Sequence, residues 1–203
     1  FNDYTTFSKL YEIDSTLWKF NEINLIYLNE PHFIENIALL LTDQKFYDYL
    51  KPIFIFFNNR MTDLWNILYS TYTNFEEEDN RQLIYIILDH SNNSSVNNKI
   101  AAGLCISAFL FEAPINEKSC VAINGGFQSL CFLLPSVEGN FLKSMLKCTL
   151  MLLSLIPELY EDESSINELK STIDNIDELD GDYETFAICN EIIQLFQSSG
   201  ENM

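Results

Sequence analysis

Apolar residues recur at steps of three and four along most of the chain. Leu17, Phe20, Ile23, Leu25, Ile26 and Leu28 cover one broad stripe, and Leu104, Ile106, Ala108, Phe109 and Leu110 cover another. This spacing lines up side chains on one face of a 3.6-residue helix. Strand-like alternation of useful length is hard to find. The pattern therefore predicts an all-α chain of roughly ten to twelve helices with loops of about 2–8 residues. Start signals agree: Asp14 opens Asp-Ser-Thr-Leu, Pro31 stands where a first turn tolerates it, Asp43 precedes Lys45-Phe46, and Thr62-Asp63 precedes Leu64-Trp65. The acidic run Glu76-Glu77-Glu78-Asp79 is expected at a helix N-terminus, where carboxylates meet the positive end of the helix dipole.

The stretch from Asn98 to Pro157 is the most informative. A helix carrying Lys99-Ile100-Ala101-Ala102-Gly103-Leu104 is followed by a short helix, Asn116 to Ala122, and then by Gly125-Gly126, which gives the backbone freedom for a sharp turn. A second short helix runs from Phe127 to Leu134 and stops at Pro135. After the loop Ser136 to Asn140 comes a long helix, Phe141 to Ile156, ended by Pro157. The long helices starting near Lys99 and Leu142 are 43 residues apart, a period of the armadillo and HEAT class of about 40–47 residues. A fainter earlier copy pairs Phe33 to Leu41 with Phe46 to Phe57. Such units cannot bury their apolar faces alone and must stack. The expected architecture is an armadillo/HEAT-like right-handed α-solenoid forming a single domain over 1–203. Residues 1–97 hold degenerate repeats, 98–157 the clearest repeat, and 158–203 an acidic C-terminal cap closed by a helix from about Tyr183 to Phe196. A non-repeating helical bundle is the alternative.

Charge changes the picture. Thirty acids stand against eleven bases, for a formal net charge of −19, which disfavours binding to nucleic-acid phosphates or to an anionic membrane. Thirteen of the acids and only one base, Lys170, fall in the last 47 residues. The longest nearly uncharged apolar runs, Ile100 to Phe111 and Cys148 to Ile156, are well short of the roughly 20 residues that span a bilayer. They read as buried helices.

Candidate chemistry is sparse. Cys105, Cys120, Cys131, Cys148 and Cys189 sit among apolar neighbours with no C-x-x-C spacing, and the only histidines are His32 and His90. The cysteines read as small buried thiols rather than a disulfide framework or a zinc site. The six glycines form no phosphate-cradling loop. No catalytic residue set, cofactor site or metal site is expected, and the chain is not expected to be an enzyme. Trp18 and Trp65 read as core rather than as anchors for a partner. On the polar faces of the two clearest long helices, Asn98 and Lys99 on one and Asn140, Lys143 and Lys147 on the other form a candidate contact patch for a partner with acidic or polar surface. Lys143 and Lys147 are four apart and share a face.

The second half resembles a known family. Ala101-Ala102-Gly103-Leu104-Cys105-Ile106-Ser107-Ala108-Phe109-Leu110, then Ala122 to Leu130, then Leu142 to Leu155 are similar to the armadillo-like core of the Hsp70 nucleotide-exchange factors. Tyr183-Glu184, Cys189, Glu191-Ile192-Ile193 and Phe196 to Ser199 are similar to the capping helix of that family's cytosolic branch. The resemblance covers about residues 98–199. It implies a co-chaperone that grips a lobe of the Hsp70 ATPase domain with its concave face, shifts that domain toward an open arrangement and hastens ADP release. Asn98, Lys99, Asn140, Lys143 and Lys147 would then belong to the concave contact surface. The alternative keeps the fold and makes the chain a protein-interaction scaffold or vesicle-tethering and transport adaptor. A cytoplasmic location fits the free cysteines. The endoplasmic-reticulum lumen is the alternative, raised by the overlapping sequons at Asn92 and Asn93 and by the acidic stretch Ile173 to Asp180, which is similar to that family's endoplasmic-reticulum branch.

Overall fold

The computed structural model describes residues 38, 41–42, 50–74, 79–179 and 183–200. The stripe from Leu17 to Leu28, the start signals at Asp14, Pro31 and Asp43, and Trp18 and His32 lie outside the described residues, as does most of the segment Phe33 to Leu41. Among the described residues the chain is helical apart from one short hairpin. The elements are α1 (Leu50–Asn59), α2 (Met61–Leu68), β1 (Thr71–Asn74), β2 (Asp79–Gln82), α3 (Leu83–Asn93), α4 (Val96–Glu112), α5 (Ile115–Val121), a kinked turn (Ala122–Gly126), α6 (Phe127–Leu133), α7 (Gly139–Leu155), α8 (Glu163–Leu179) and α9 (Tyr183–Gly200). One-turn 3-10 segments, Leu134–Ser136 and Pro157–Glu161, lead out of α6 and α7.

Two layers organise these helices. In one, α1 packs along α4, α4 along α7, and α7 along α9; in the other, α3 packs on α6 and α6 on α8. The layers bury a continuous apolar core in which Phe54, Phe57, Phe109 and Phe127 are among the largest enclosed side chains, each worth about 1.5–3 kcal/mol on transfer from water. The long helices α4, α7 and α9 begin at residues 96, 139 and 183, in steps of 43 and 44. The 43-residue spacing seen in the sequence is thus a real interval between neighbouring helices.

Polar groups in the core are paired. His90, 7% exposed, donates from Nε2 to the carbonyl of Leu41 at 2.6 Å, and its Nδ1 faces Ser94 Oγ at 2.7 Å. Ser91 Oγ donates to Leu88 O at 2.7 Å and lies 2.6 Å from Ser129 Oγ, which ties α3 to α6. Trp65 is partly buried against the core, as its apolar surroundings predict.

The Gly125-Gly126 turn works by two separate means. Gly125 has φ +109°, a value L side chains rarely adopt, and Asn124 caps α5 by donating from Nδ2 to Cys120 O at 2.8 Å. Gly126 has an ordinary helical φ of −61°, but a Cβ there would sit 2.7 Å from the carbonyl oxygen of Val121. At the start of α8, Asp162 accepts from Ser165 N at 3.2 Å and from Ser165 Oγ at 2.5 Å, a side-chain cap.

Two sequence expectations are corrected. Asp79 does not open a helix: it starts β2, which pairs antiparallel with β1 in the register Thr71↔Gln82 to Asn74↔Asp79, and the next helix begins at Leu83 with Gln82 as its cap. Glu76, Glu77 and Glu78 lie outside the described residues. The β-branched and aromatic run Thr71-Tyr72-Thr73 favours extended backbone, and four-residue strands are too short to show alternation. Helix α2 starts at Met61, with Arg60 rather than Thr62 or Asp63 as its cap. Asp63 falls in the first turn and pairs with Arg60 at 3.1 Å.

Candidate functional site

The ladder helices α4, α7 and α9 carry uncovered stripes that share a phase, and α9, at the end of the row, is also open along Tyr183, Phe186, Asn190, Gln194 and Gln197. On α4 the stripe runs through Asn97, Ile100, Leu104, Ala108 and Phe111; on α7 through Asn140, Lys143, Lys147, Met151 and Ser154; on α9 through Glu184, Ala187, Glu191, Leu195 and Ser198. Every one of these residues is exposed or half-buried. The steps within each helix are +3, +4, +4 and +3, and corresponding positions lie 43 and 44 residues apart. On α1 the exposed Lys51 and Ile55 and the half-buried Asn58 repeat the helical spacing. Packing dictates the stripe, because the opposite side of each helix faces the second layer.

Chemistry differs from helix to helix along this face. The α4 stripe is mainly apolar, with Phe111 39% exposed, and α1 adds Ile55, also 39% exposed. Helix α7 carries two lysines and no acid, and the α9 stripe carries two glutamates. Lys147 Nζ lies 2.6 Å from Glu184 Oε1 and Lys143 Nζ lies 3.6 Å from Oε2. Both lysines meet Glu184 in the first turn of α9. The Lys147 hydrogen bond and charge, followed by the Lys143 charge, hold the Glu184 carboxyl below the usual carboxylate range. At the far end of the face Lys118, only 7% exposed, donates to Phe111 O at 3.0 Å and reaches Met151 Sδ at 3.8 Å. Its ammonium thereby meets the negative end of the α4 dipole.

Of the residues expected at a partner contact, Asn140, Lys143 and Lys147 come together on the α7 stripe. Lys99, half-buried, lies on the side of α4 that carries the buried Gly103, Ile106 and Leu110, away from the stripe. Asn98 is 9% exposed, because the phase of α4 puts Asn97, not Asn98, on the open face. Sequence reasoning missed Glu184 and the apolar stripe of α4. The 44-residue step that maps Asn140 onto Glu184 is the signal that locates the former.

Two other loci carry polar groups. Tyr85 Oη lies 3.4 Å from Cys120 Sγ, and burial, then the hydrogen bond to Cys120, pushes both the Tyr85 and the Tyr69 phenols up. Glu117 Oε2 is enclosed near them without a hydrogen-bond partner among the described residues. Cys120 is half-exposed, unlike Cys105, Cys131, Cys148 and Cys189, which are buried. Separately, a groove of about 500 Å³ lies between the kinked turn Ala122–Gly126 and Pro157–Glu161, lined by Ile123, Asn124, Gln128, Glu158, Glu161 and Asp162 among others. Among the described residues no group of three or more His, Cys, Asp or Glu side chains is placed to hold a metal ion, and no helix is long and apolar enough to cross a membrane. Asn92 and Asn93, the sequon residues, are exposed in the last turn of α3. No protein-family model, curated protein or solved structure matches the chain.

Proposed function

We propose that this chain is an armadillo-type binding scaffold, a right-handed α-solenoid whose α1, α4, α7 and α9 line a concave face that grips another protein. One observation carries the reading: α4, α7 and α9 repeat at 43 and 44 residues and leave in-phase stripes uncovered, with apolar side chains half-exposed on α4. Ile100, Leu104 and Phe111 stand on one face of α4 rather than scattered singly, and grouped exposed apolar side chains mark interaction sites. In this reading α9 caps the array and turns the acid-rich C-terminal segment outward.

The particular partner proposed is the ATPase domain of an Hsp70 in the cytoplasm, with ADP release as the consequence. Support for this narrower step is the sequence resemblance over about residues 98–199. Asn140, Lys143 and Lys147 are the polar contacts, and Ile100, Leu104 and Phe111 the apolar ones. A scaffold or vesicle-tethering role would use the same face on a different partner. The test is to add the purified chain to Hsp70 loaded with a fluorescent ADP analogue and follow dissociation. Acceleration that is lost when Lys143 and Lys147 are both changed to Glu supports nucleotide exchange. Unchanged dissociation, with no complex formed in the ADP state, removes that role and leaves the scaffold reading to be tested on other partners.

A further inference from the structure

We infer that Lys143 and Lys147 form a carboxylate clamp which Glu184 of the same chain occupies until an acidic side chain of a partner takes its place. The inference rests on the proposed binding face and specifies the occupant: a partner segment that sets apolar side chains against α4 and an Asp or Glu against α7. Charge complementarity points to it. In a chain with thirty acids and eleven bases, the stripes of α4 and α7 hold Lys143 and Lys147 and no acid. A carboxylate is already seated on the pair, with Lys147 Nζ at 2.6 Å and Lys143 Nζ at 3.6 Å.

The seated carboxylate is also easy to displace. Glu184 is 54% exposed and Lys147 48% exposed at the side chain, so water competes for both ends and the bridge is weak. A partner that brings its own carboxylate keeps both lysines paired and releases Glu184 to solvent. Only the difference between the two carboxylates enters the affinity. Removing the internal competitor must therefore strengthen binding, the opposite sign from an ordinary interface contact.

The test pans a displayed library of random 16-residue peptides against the full chain and measures the enriched peptides by fluorescence anisotropy. Peptides carrying Asp or Glu beside apolar residues are expected. Lys143→Gln with Lys147→Gln should weaken them about tenfold, and Glu184→Gln should tighten them roughly threefold. Glu191→Gln, on the same stripe, is expected to change affinity less than Glu184→Gln. Ile55→Ser with Phe111→Ser reports on the face itself, and circular dichroism checks that each variant is folded. Peptides that lose binding on the serine changes but ignore the lysines, that are basic, or that are not tightened by Glu184→Gln overturn the clamp while leaving the binding face standing. No enrichment, or enriched peptides indifferent to every one of these changes, overturns the face and the clamp together.

Discussion

Replacing either glycine of the turn between α5 and α6 by alanine tests the local argument most sharply, because the two are held for different reasons. At Gly125 an added Cβ meets only Leu88 Cδ2 at 3.5 Å, an ordinary contact, so the cost comes from φ +109°. Forcing an L residue across to positive φ costs roughly 1–2 kcal/mol, and the loss of unfolded-chain entropy returns about 0.4–1 kcal/mol. A net loss of about 1 kcal/mol is expected for Gly125→Ala. At Gly126 the backbone is already helical, and alanine there gains about 1 kcal/mol in helix propensity. Its Cβ, however, would lie 2.7 Å from Val121 O and 3.2 Å from Val121 Cγ1. The obstacle is backbone, which cannot swing aside, so an overpacking cost of about 1–3 kcal/mol leaves a net loss of around 1 kcal/mol. Two substitutions of similar size thus have separable causes, and asparagine separates them. Gly125→Asn tolerates positive φ and should lose less than Gly125→Ala, whereas Gly126→Asn should lose at least as much as Gly126→Ala. Urea unfolding followed by far-UV circular dichroism reads each difference as a midpoint shift at constant slope. A Gly126→Ala variant as stable as the parent, or an asparagine preference at 126 instead of 125, refutes the reasoning.

Other outcomes follow from single contacts. The Glu184 pKa is depressed in the fold, so its contribution is present above the unfolded value and lost as pH falls through the lower folded value. The stability difference between the parent and Glu184→Gln should be constant near neutrality and vanish in the acid range below about pH 4, as read from thermal melts across pH. A thiol reagent at pH 8 should label Cys120 first. Burial pushes the Cys148 thiol up to about 12 and those of Cys105 and Cys131 higher still, so these should react only on unfolding, and Cys120→Ala should remove the fast phase. His90→Phe keeps a ring beside Phe54, whose centroid is 5.7 Å away, but loses the bonds to Leu41 and Ser94. It should lower stability by about 1–3 kcal/mol in the same urea assay.

What could be read in advance was whatever repeats or caps locally. The boundaries of α4 to α7 follow from short-range features: Pro114 before α5, Gly125 at the turn, Pro135 after α6 and Pro157 after α7. The β1–β2 pair was not legible, because a ladder of four residues a side is fixed by its partner strand and leaves no period in the sequence. The contact patch was half legible. A spacing of four puts Lys143 and Lys147 on one face whatever the fold, but Glu184 is 37 residues beyond Lys147 and reaches it only because α7 and α9 stack. Asn98 shows the reverse case: its polarity suggested surface, and the phase of α4 turns it toward the side of the buried Ala101, Ala102 and Cys105.

Charge placement on the ladder leads to a final expectation about how a partner arrives. The chain as a whole carries −19, and the last 47 residues carry most of it, whereas the proposed docking surface on α4 and α7 carries Lys143 and Lys147 and no acid. An acidic segment approaching from a distance meets the whole chain's field and is repelled; within a few ångströms of α7 it meets the two lysines and is attracted. Salt separates the two regimes, since the screening length falls from about 30 Å at 0.01 M to about 8 Å at 0.15 M. Added salt first removes the repulsion, which sets the on-rate, and also weakens the exposed ion pairs, which set the off-rate. Between these concentrations the association rate of an acidic peptide should therefore rise while its dissociation rate also rises, as stopped-flow anisotropy measures. A basic partner shows the opposite on-rate trend, accelerating as salt is withdrawn. An on-rate for the acidic peptide that falls with added salt would mean that encounter is steered by the lysines from far away, and the division between a repelling body and an attracting face would have to be abandoned.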